Sequence, residues 1–424
     1  MANTKERAII DNWEFILSRW ASAPVNPAPA RHPARPGGGQ SLASPPADAE
    51  IEEEKMTLTN YWWLLIWLAV AGIALTMLFP KKAMLLPGQT SSVGQWGWPA
   101  CIILALPYVV WAMNRTNFGD TEVYRQIFAD VPSNPVQLPE YLMGHTKDQG
   151  FSVLTCIVKI FVGQNDHFFF FLIAAFQMFC VIWFFRRYSN YFLLTFFMFV
   201  ASTDYLSWMF NGIRQFIAVC IVLLSYKLIL RKRYLPAILV ILLAATIHGS
   251  ALLMIPVIFA IQGKAWNKKT LLILGVILIA TLFIDNFTSI LDTVLAETQY
   301  SDMITNEIWT TDDGTNVFRI LFYSIPAVIA LVGKRYLDEA DDPAMNIFAN
   351  CAVVTSAFYI LSGATSGIYI GRLPIYTTLP GYVVCPWLID RMFTKDSARL
   401  VRFGLVAGYL AFFYYQMHMA WNLI

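Results

Sequence analysis

Residues 235–261 read LPAILVILLAATIHGSALLMIPVIFAI, an apolar run interrupted in its middle by His248-Gly249-Ser250. A helical membrane crossing takes about 20 residues, so the run is too long for one comfortable span and too short for two ordinary ones. Either it crosses once with a kink, or it folds back at the polar break as a hairpin of two short helices. The choice decides on which side of a membrane every later segment lies.

Loop charge arbitrates, because Lys and Arg accumulate in cytoplasmic loops. Let 235–261 be a hairpin, and let 151–163 (FSVLTCIVKIFVG) dip into the membrane without crossing. Then Lys81/Lys82, Arg186/Arg187, Arg231–Arg233, Lys264/Lys268/Lys269, Lys334/Arg335 and Arg391/Lys395/Arg399/Arg402 all fall on one side. Only Arg115, Arg125, Lys147, Arg214, Arg319 and Arg372 remain opposite. A single crossing at either stretch would scatter these clusters over both sides.

Composition agrees with a lipid solvent. The 424-residue chain is 57% hydrophobic and only 14% charged, against about 25% charged in soluble domains. The expected fold is an all-α polytopic integral membrane protein of about twelve transmembrane helices plus one short embedded helix. Besides the hairpin, spans are expected at 61–79, 95–113, 168–185, 191–208, 213–230, 270–287, 317–333, 346–361, 373–389 and 403–421. Residues 1–55 are rich in Pro, Ala and Gly and read as a disordered tail preceding a transmembrane domain over 56–424. Met56 reads as the native start. The six cysteines lie in apolar segments without a CxxC pair and are expected to be small buried hydrophobes. No basic patch interleaved with aromatics points to nucleic acid. HExxH and paired DxD patterns do not occur, so metal catalysis is not favoured and no cofactor is expected.

The same topology gathers four polar interruptions on the outer face: NRTNFGDTEVY (114–124), NGIRQ (211–215), IHGS (247–250) and GIYIGRLP (367–374). Asn211, Arg214 and Gln215 share one helical face. They sit on a first turn, where free N–H groups and the helix dipole favour an anion. A guanidinium there adds a planar fork of donors matched to phosphate or carboxylate. The plain alternative is an Arg that snorkels or pairs with an acid such as Asp204. Arg372 follows a Gly-rich turn in a similar setting. Asp120 reads either as a proton acceptor working with Thr121 and Tyr124 or as a simple helix cap. His248 and Ser250, at the break of the apolar run, read either as cavity-lining or as structural. Asp148 in KDQGF carries the same ambiguity as Asp120.

Taken in order, Arg115…Gly119-Asp120-Thr121…Tyr124, Gly150-Phe151, NGIRQFIA (211–218), HGSALLMIP (248–256) and Gly371-Arg372 resemble the EpsG family of exopolysaccharide and O-antigen repeat-unit polymerases, which are Wzy-like in role. The family often shows a Glu before the Gly where this chain has KDQGF. The resemblance implies a metal-independent membrane glycosyltransferase at the outer face of the bacterial inner membrane. Its substrates would be undecaprenyl-diphosphate-linked oligosaccharides, and its partners flippase and chain-length regulator proteins. On that reading Asp120, His248 and Arg214 are the candidate catalytic residues. Arg115, Thr121, Tyr124, Asn211, Gln215, Ser250 and Arg372 are the candidate substrate-binding residues. A transporter or flippase of lipid-linked sugars, or another lipid-linked-sugar glycosyltransferase or ligase, is the alternative. Transporter sites sit near the midplane between repeated halves, and this chain shows no internal repeat.

Overall fold

The computed structural model describes residues 58–85, 92–115, 119–282, 314–365, 367 and 369–421. The expected tail over 1–55 and the start at Met56 lie outside the described residues. Apart from one β-hairpin, the described chain is helical. Helix α1 (Leu58–Leu78) leads into strands β1 (Lys82–Leu85) and β2 (Ser92–Gln95), paired antiparallel with Lys82 opposite Gln95. This hairpin was not expected from the apolar pattern. Part of it occupies the start of the expected 95–113 span, which is helical only as α2 (Trp98–Met113).

Helices α3 (Thr121–Asp130), α4 (Leu138–Gly144), α5 (Gln149–Val162), α6 (Asp166–Tyr188), α7 (Phe192–Ala201), α8 (Asp204–Met209) and α9 (Ile213–Leu230) follow. Then come α10 (Tyr234–Ile247), a 3₁₀ turn at Gly249–Leu253, α11 (Met254–Ala260) and α12 (Lys268–Leu282). The last group is α13 (Val317–Val332), α14 (Lys334–Ala340), α15 (Pro343–Ala364), α16 (Ile375–Met392) and α17 (Lys395–Tyr415).

Among the described residues, four helical segments are long and apolar enough to cross a bilayer: Tyr61–Leu78, α6, α9 and α15. The bent pair α13–α14, with its 59° break, makes up to five. Together with the shorter apolar helices they mark a multi-pass membrane protein. Outward-facing side chains say the same. Ile66, Val70, Ile73 and Met77 form an exposed stripe along α1 at helical spacing, and Leu272, Val276 and Ile279 do so along α12. In water such stripes would be an aggregation liability; against lipid tails they are matched to their surroundings.

Inside, rings from different helices interlock. Phe184 packs 5.2 Å from Tyr226 and 5.5 Å from Phe348. Local chemistry starts the helices: Asp342 accepts the Ala344 and Met345 N–H groups ahead of Pro343, and Asn165 accepts the Phe168 N–H. All six cysteines are free and buried, as expected.

The 235–261 run does break at His248. Tyr234, just before the run, lies 4.9 Å from Phe259 near its end, so the chain doubles back as a hairpin. Helix α10 has 14 residues, a rise of about 21 Å, short of the roughly 30 Å hydrocarbon core. The 151–163 stretch is likewise one short helix, α5. The expected single span at 191–208 is instead two helices, α7 and α8, broken at Ser202-Thr203, where Thr203 takes a left-handed φ of 68°. Asp204 explains the break. It is wholly buried and accepts hydrogen bonds from the Tyr323 and Tyr382 hydroxyls. A carboxylate inside an apolar bundle must be turned toward such donors.

Candidate functional site

The site is built around the first turn of α9. Gly212 precedes the helix and supplies no side-chain cap, so the leading N–H groups seek partners elsewhere. The Arg214 N–H donates to the Tyr124 hydroxyl at 3.4 Å. The Arg214 guanidinium lies in an aromatic corner, its carbon 5.9 Å from the centre of the Tyr124 ring and 6.0 Å from that of Phe151. Its Nη1 pairs with Asp148 Oδ2 at 3.0 Å. Arg214 therefore pairs with an acid, but with Asp148; Asp204 is engaged by tyrosines.

One residue further on, Gln215 reaches two other segments. Its Nε2 donates to Ser250 Oγ at 3.3 Å and to the Arg372 carbonyl at 3.2 Å. Ser250 Oγ also contacts His248 Nδ1 at 2.7 Å and the Tyr376 hydroxyl at 3.0 Å. With one lone pair of Ser250 taken by Gln215, the serine can donate to one of these neighbours and accept from the other. When it donates to Tyr376, His248 carries its proton on Nδ1 and leaves Nε2 basic. When it donates to His248, Nε2 carries the proton.

Asp120 enters through Gly119, whose φ of 59° suits glycine. A Cβ on Gly119 would stand 3.1 Å from Asn211 Cβ, so the turn rests directly on the NGIRQ segment. Asp120 occupies the cap position of α3, but its side chain makes no capping bond. Burial raises its pKa, while the Arg372 and Arg214 charges pull it back. His248 lies in the break between helices. Burial first, then Arg214 and Arg372, hold its pKa down to about 4 against the opposing charge of Asp148. The imidazole is therefore neutral at physiological pH. The Arg372 guanidinium forms no ion pair among the described residues, yet its charge acts on both Asp120 and His248.

These segments, drawn from residues 119 to 376, form one cluster of two guanidiniums, two carboxylates, an imidazole and four hydroxyl or amide groups. The EpsG family profile matches residues 99–422. The chain belongs to the EpsG family. Membership connects it with exopolysaccharide biosynthesis. No curated protein and no solved structure matches it.

Not every expected residue of this EpsG chain joins the cluster. Arg115 is 2% exposed, its guanidinium carbon 4.4 Å from the Phe170 ring centre and 4.5 Å from that of Phe210. Its Nε donates to the Ala112 carbonyl at 2.8 Å. These partners hold it in an aromatic corner of its own. Thr121 is wholly buried at the start of α3. Asn211 contributes packing against Gly119.

Two participants went unread or undervalued. Asp148, ambiguous in the sequence and absent from the candidate set, is the acid that pairs with Arg214. Tyr376 was missed, although it stands four residues after Arg372, in the first turn of α16. A separate buried network was missed altogether. Asp204 is held by Tyr323 from α13 and Tyr382 from α16, Tyr323 also donates to the Ser202 carbonyl at 3.1 Å, and Tyr359 stacks on Tyr323 at 4.5 Å. Arg319, expected on the outer side at the start of the 317–333 span, lies in the first turn of α13 with its guanidinium carbon 5.7 Å from the Tyr323 ring centre. A lone acid in an apolar run was the available signal.

Proposed function

We propose that the protein polymerises undecaprenyl-diphosphate-linked oligosaccharide repeat units into exopolysaccharide, capsule or O-antigen. The observation that carries this is the convergence of Arg214, Arg372, His248 and Asp120 on one cluster, within a chain of the EpsG family. The acceptor's sugar hydroxyl attacks the anomeric carbon of the donor chain. As the new C–O bond forms, the bond from that carbon to the diphosphate breaks, and undecaprenyl diphosphate leaves with the electron pair. His248 or Asp120 takes the hydroxyl proton. Arg214 and Arg372 stabilise the charge growing on the diphosphate.

On this reading the chain makes twelve crossings in the bacterial cytoplasmic membrane, with the cluster facing outward. The donor arrives from a flippase, and a chain-length regulator ends growth. Two experiments test it. Reconstitution into liposomes with a lipid-linked repeat unit should yield a ladder of polymer lengths; unchanged substrate would reject the activity. Single cysteines at 120 and 370 should react with an impermeant reagent in intact cells or spheroplasts, and those at 188, 232 and 395 should not. Labelling at 232 from outside would overturn the sidedness.

A further inference from the structure

Arg214 meets Asp148 and the Tyr124 hydroxyl, but its fork is not filled. Nη1 faces Asp148 at 3.0 Å, whereas the buried Nε has no hydrogen-bond partner. Asp148 reaches the fork from a backbone conformation that side chains seldom adopt, with φ at 52°. It stands at the cap position of α5 but makes no capping bond, so it does not serve the role an Asp ordinarily fills there. Two residues later, a Cβ on Gly150 would fall 2.3 Å from Thr246 Oγ1. The start of α5 is thus pressed against the end of α10, just before His248. The Asp148 carboxylate stands where its charge acts on both Arg214 and His248.

We propose that Asp148 is an internal stand-in for the donor's diphosphate, held on Arg214 in the free protein and displaced when a diphosphate takes the fork. This rests on the reading of Arg214 as a phosphate ligand. Displacement has a consequence for the base. His248 faces Ser250 and Tyr376 through hydrogen bonds and feels Asp148, Arg214 and Arg372. A bound diphosphate offsets both guanidiniums and frees the Asp148 carboxylate from Arg214. Both changes raise the proton affinity of His248, so the base strengthens when the donor is seated and stays weak when the site is empty.

The test titrates inorganic pyrophosphate into the purified full-length protein at constant ionic strength, followed by calorimetry. Asp148→Asn should bind pyrophosphate about tenfold more tightly than the wild type, as expected when a competing charge pair of roughly 1.4 kcal/mol is removed. Asp148→Gly should do the same, since glycine accepts the positive φ and guards against a misfolded Asn variant. Asp120→Asn removes a carboxylate from the same cluster without breaking an ion pair, and should tighten binding by less than about threefold. Equal tightening in the Asp120 and Asp148 variants would reduce the effect to general charge and overturn the stand-in. Unchanged affinity in both Asp148 variants, with weaker binding in Arg214→Lys, would also overturn it while leaving the phosphate site intact. Unchanged affinity in Arg214→Lys, or no binding to any of these proteins, would reject the phosphate reading itself.

Discussion

Asp204 and Arg214 stand on successive helices, α8 and α9, and the bundle treats them in opposite ways. Asp204 is fully buried, and each carboxylate oxygen has a tyrosine hydroxyl donating to it. Those tyrosines come from α13 and α16, so the acid ties three distant parts of the chain together. Arg214 is a third exposed along its side chain, paired with Asp148 and Tyr124 yet unsatisfied at Nε. Its acid partner is held in a strained backbone. Buried charge is tolerated where it is completely paired, and incomplete pairing beside an accessible surface is what a ligand site needs. The first region reads as a strut and the second as a receptor.

The largest effect should come from breaking the strut. Asp204→Ala takes the buried Tyr382 hydroxyl's acceptor, one of the two acceptors of Tyr323 and the negative charge near Arg319, and should cost about 3 kcal/mol or more. Thermal unfolding in detergent and membrane abundance would both register it; a fully stable variant would mean that the network holds nothing. Arg214→Lys should do the reverse. It keeps charge and approximate length but loses the planar fork. Abundance should stay normal while polymer yield falls about tenfold or more, worth roughly 1.4 kcal/mol in the transition state. Arg372→Lys should behave alike, and the double variant should lose less than the sum if both arginines hold one leaving group. Near-normal polymer from Arg214→Lys would collapse the contrast between the regions.

Smaller effects sharpen the comparison. Tyr382→Phe removes one of two donors to Asp204 and should lower stability by about 1–2 kcal/mol, with activity per folded molecule retained. A matching loss of turnover would show that the strut reaches the site. His248 offers a test in pH. Its folded pKa is depressed to about 4, below the ordinary value of about 6.5. The unfolded chain then binds the proton more readily, so this stabilising contribution is complete above about pH 6.5 and is lost as pH falls toward 4. The stability difference between wild type and His248→Gln should change across that window. A flat difference would mean that the imidazole is solvated.

Much of the site was legible because its chemistry is local. NGIRQ announces a helix start carrying Arg and Gln, IHGS announces a break, and Gly119-Asp120 announces a turn, each from spacing and residue type. Asp148 was harder. Its position before Gly150 is visible, but only the packing of α5 against Thr246 swings it toward Arg214. Tyr376 sits in LPIYTTL (373–379), where a tyrosine carries no mark of what its hydroxyl will meet. Arg319 stands at the start of the expected 317–333 span, but its partners could not be read, because Tyr323 and Tyr359 meet it only through packing.

The sequence by itself determined the lipid solvent, the helical class, the broken run at 235–261 and the residue types that meet an anion, because burial preference and helix periodicity act over a few neighbouring residues. Tertiary structure alone decided which acid faces which base. The Arg214–Asp148 pair joins two helices, the Asp204 network joins α8 to α13 and α16, and Gln215 links α9 to the Arg372 turn. A hydrogen bond acts over about 3 Å, and only the packing of distant helices brings such groups within that reach.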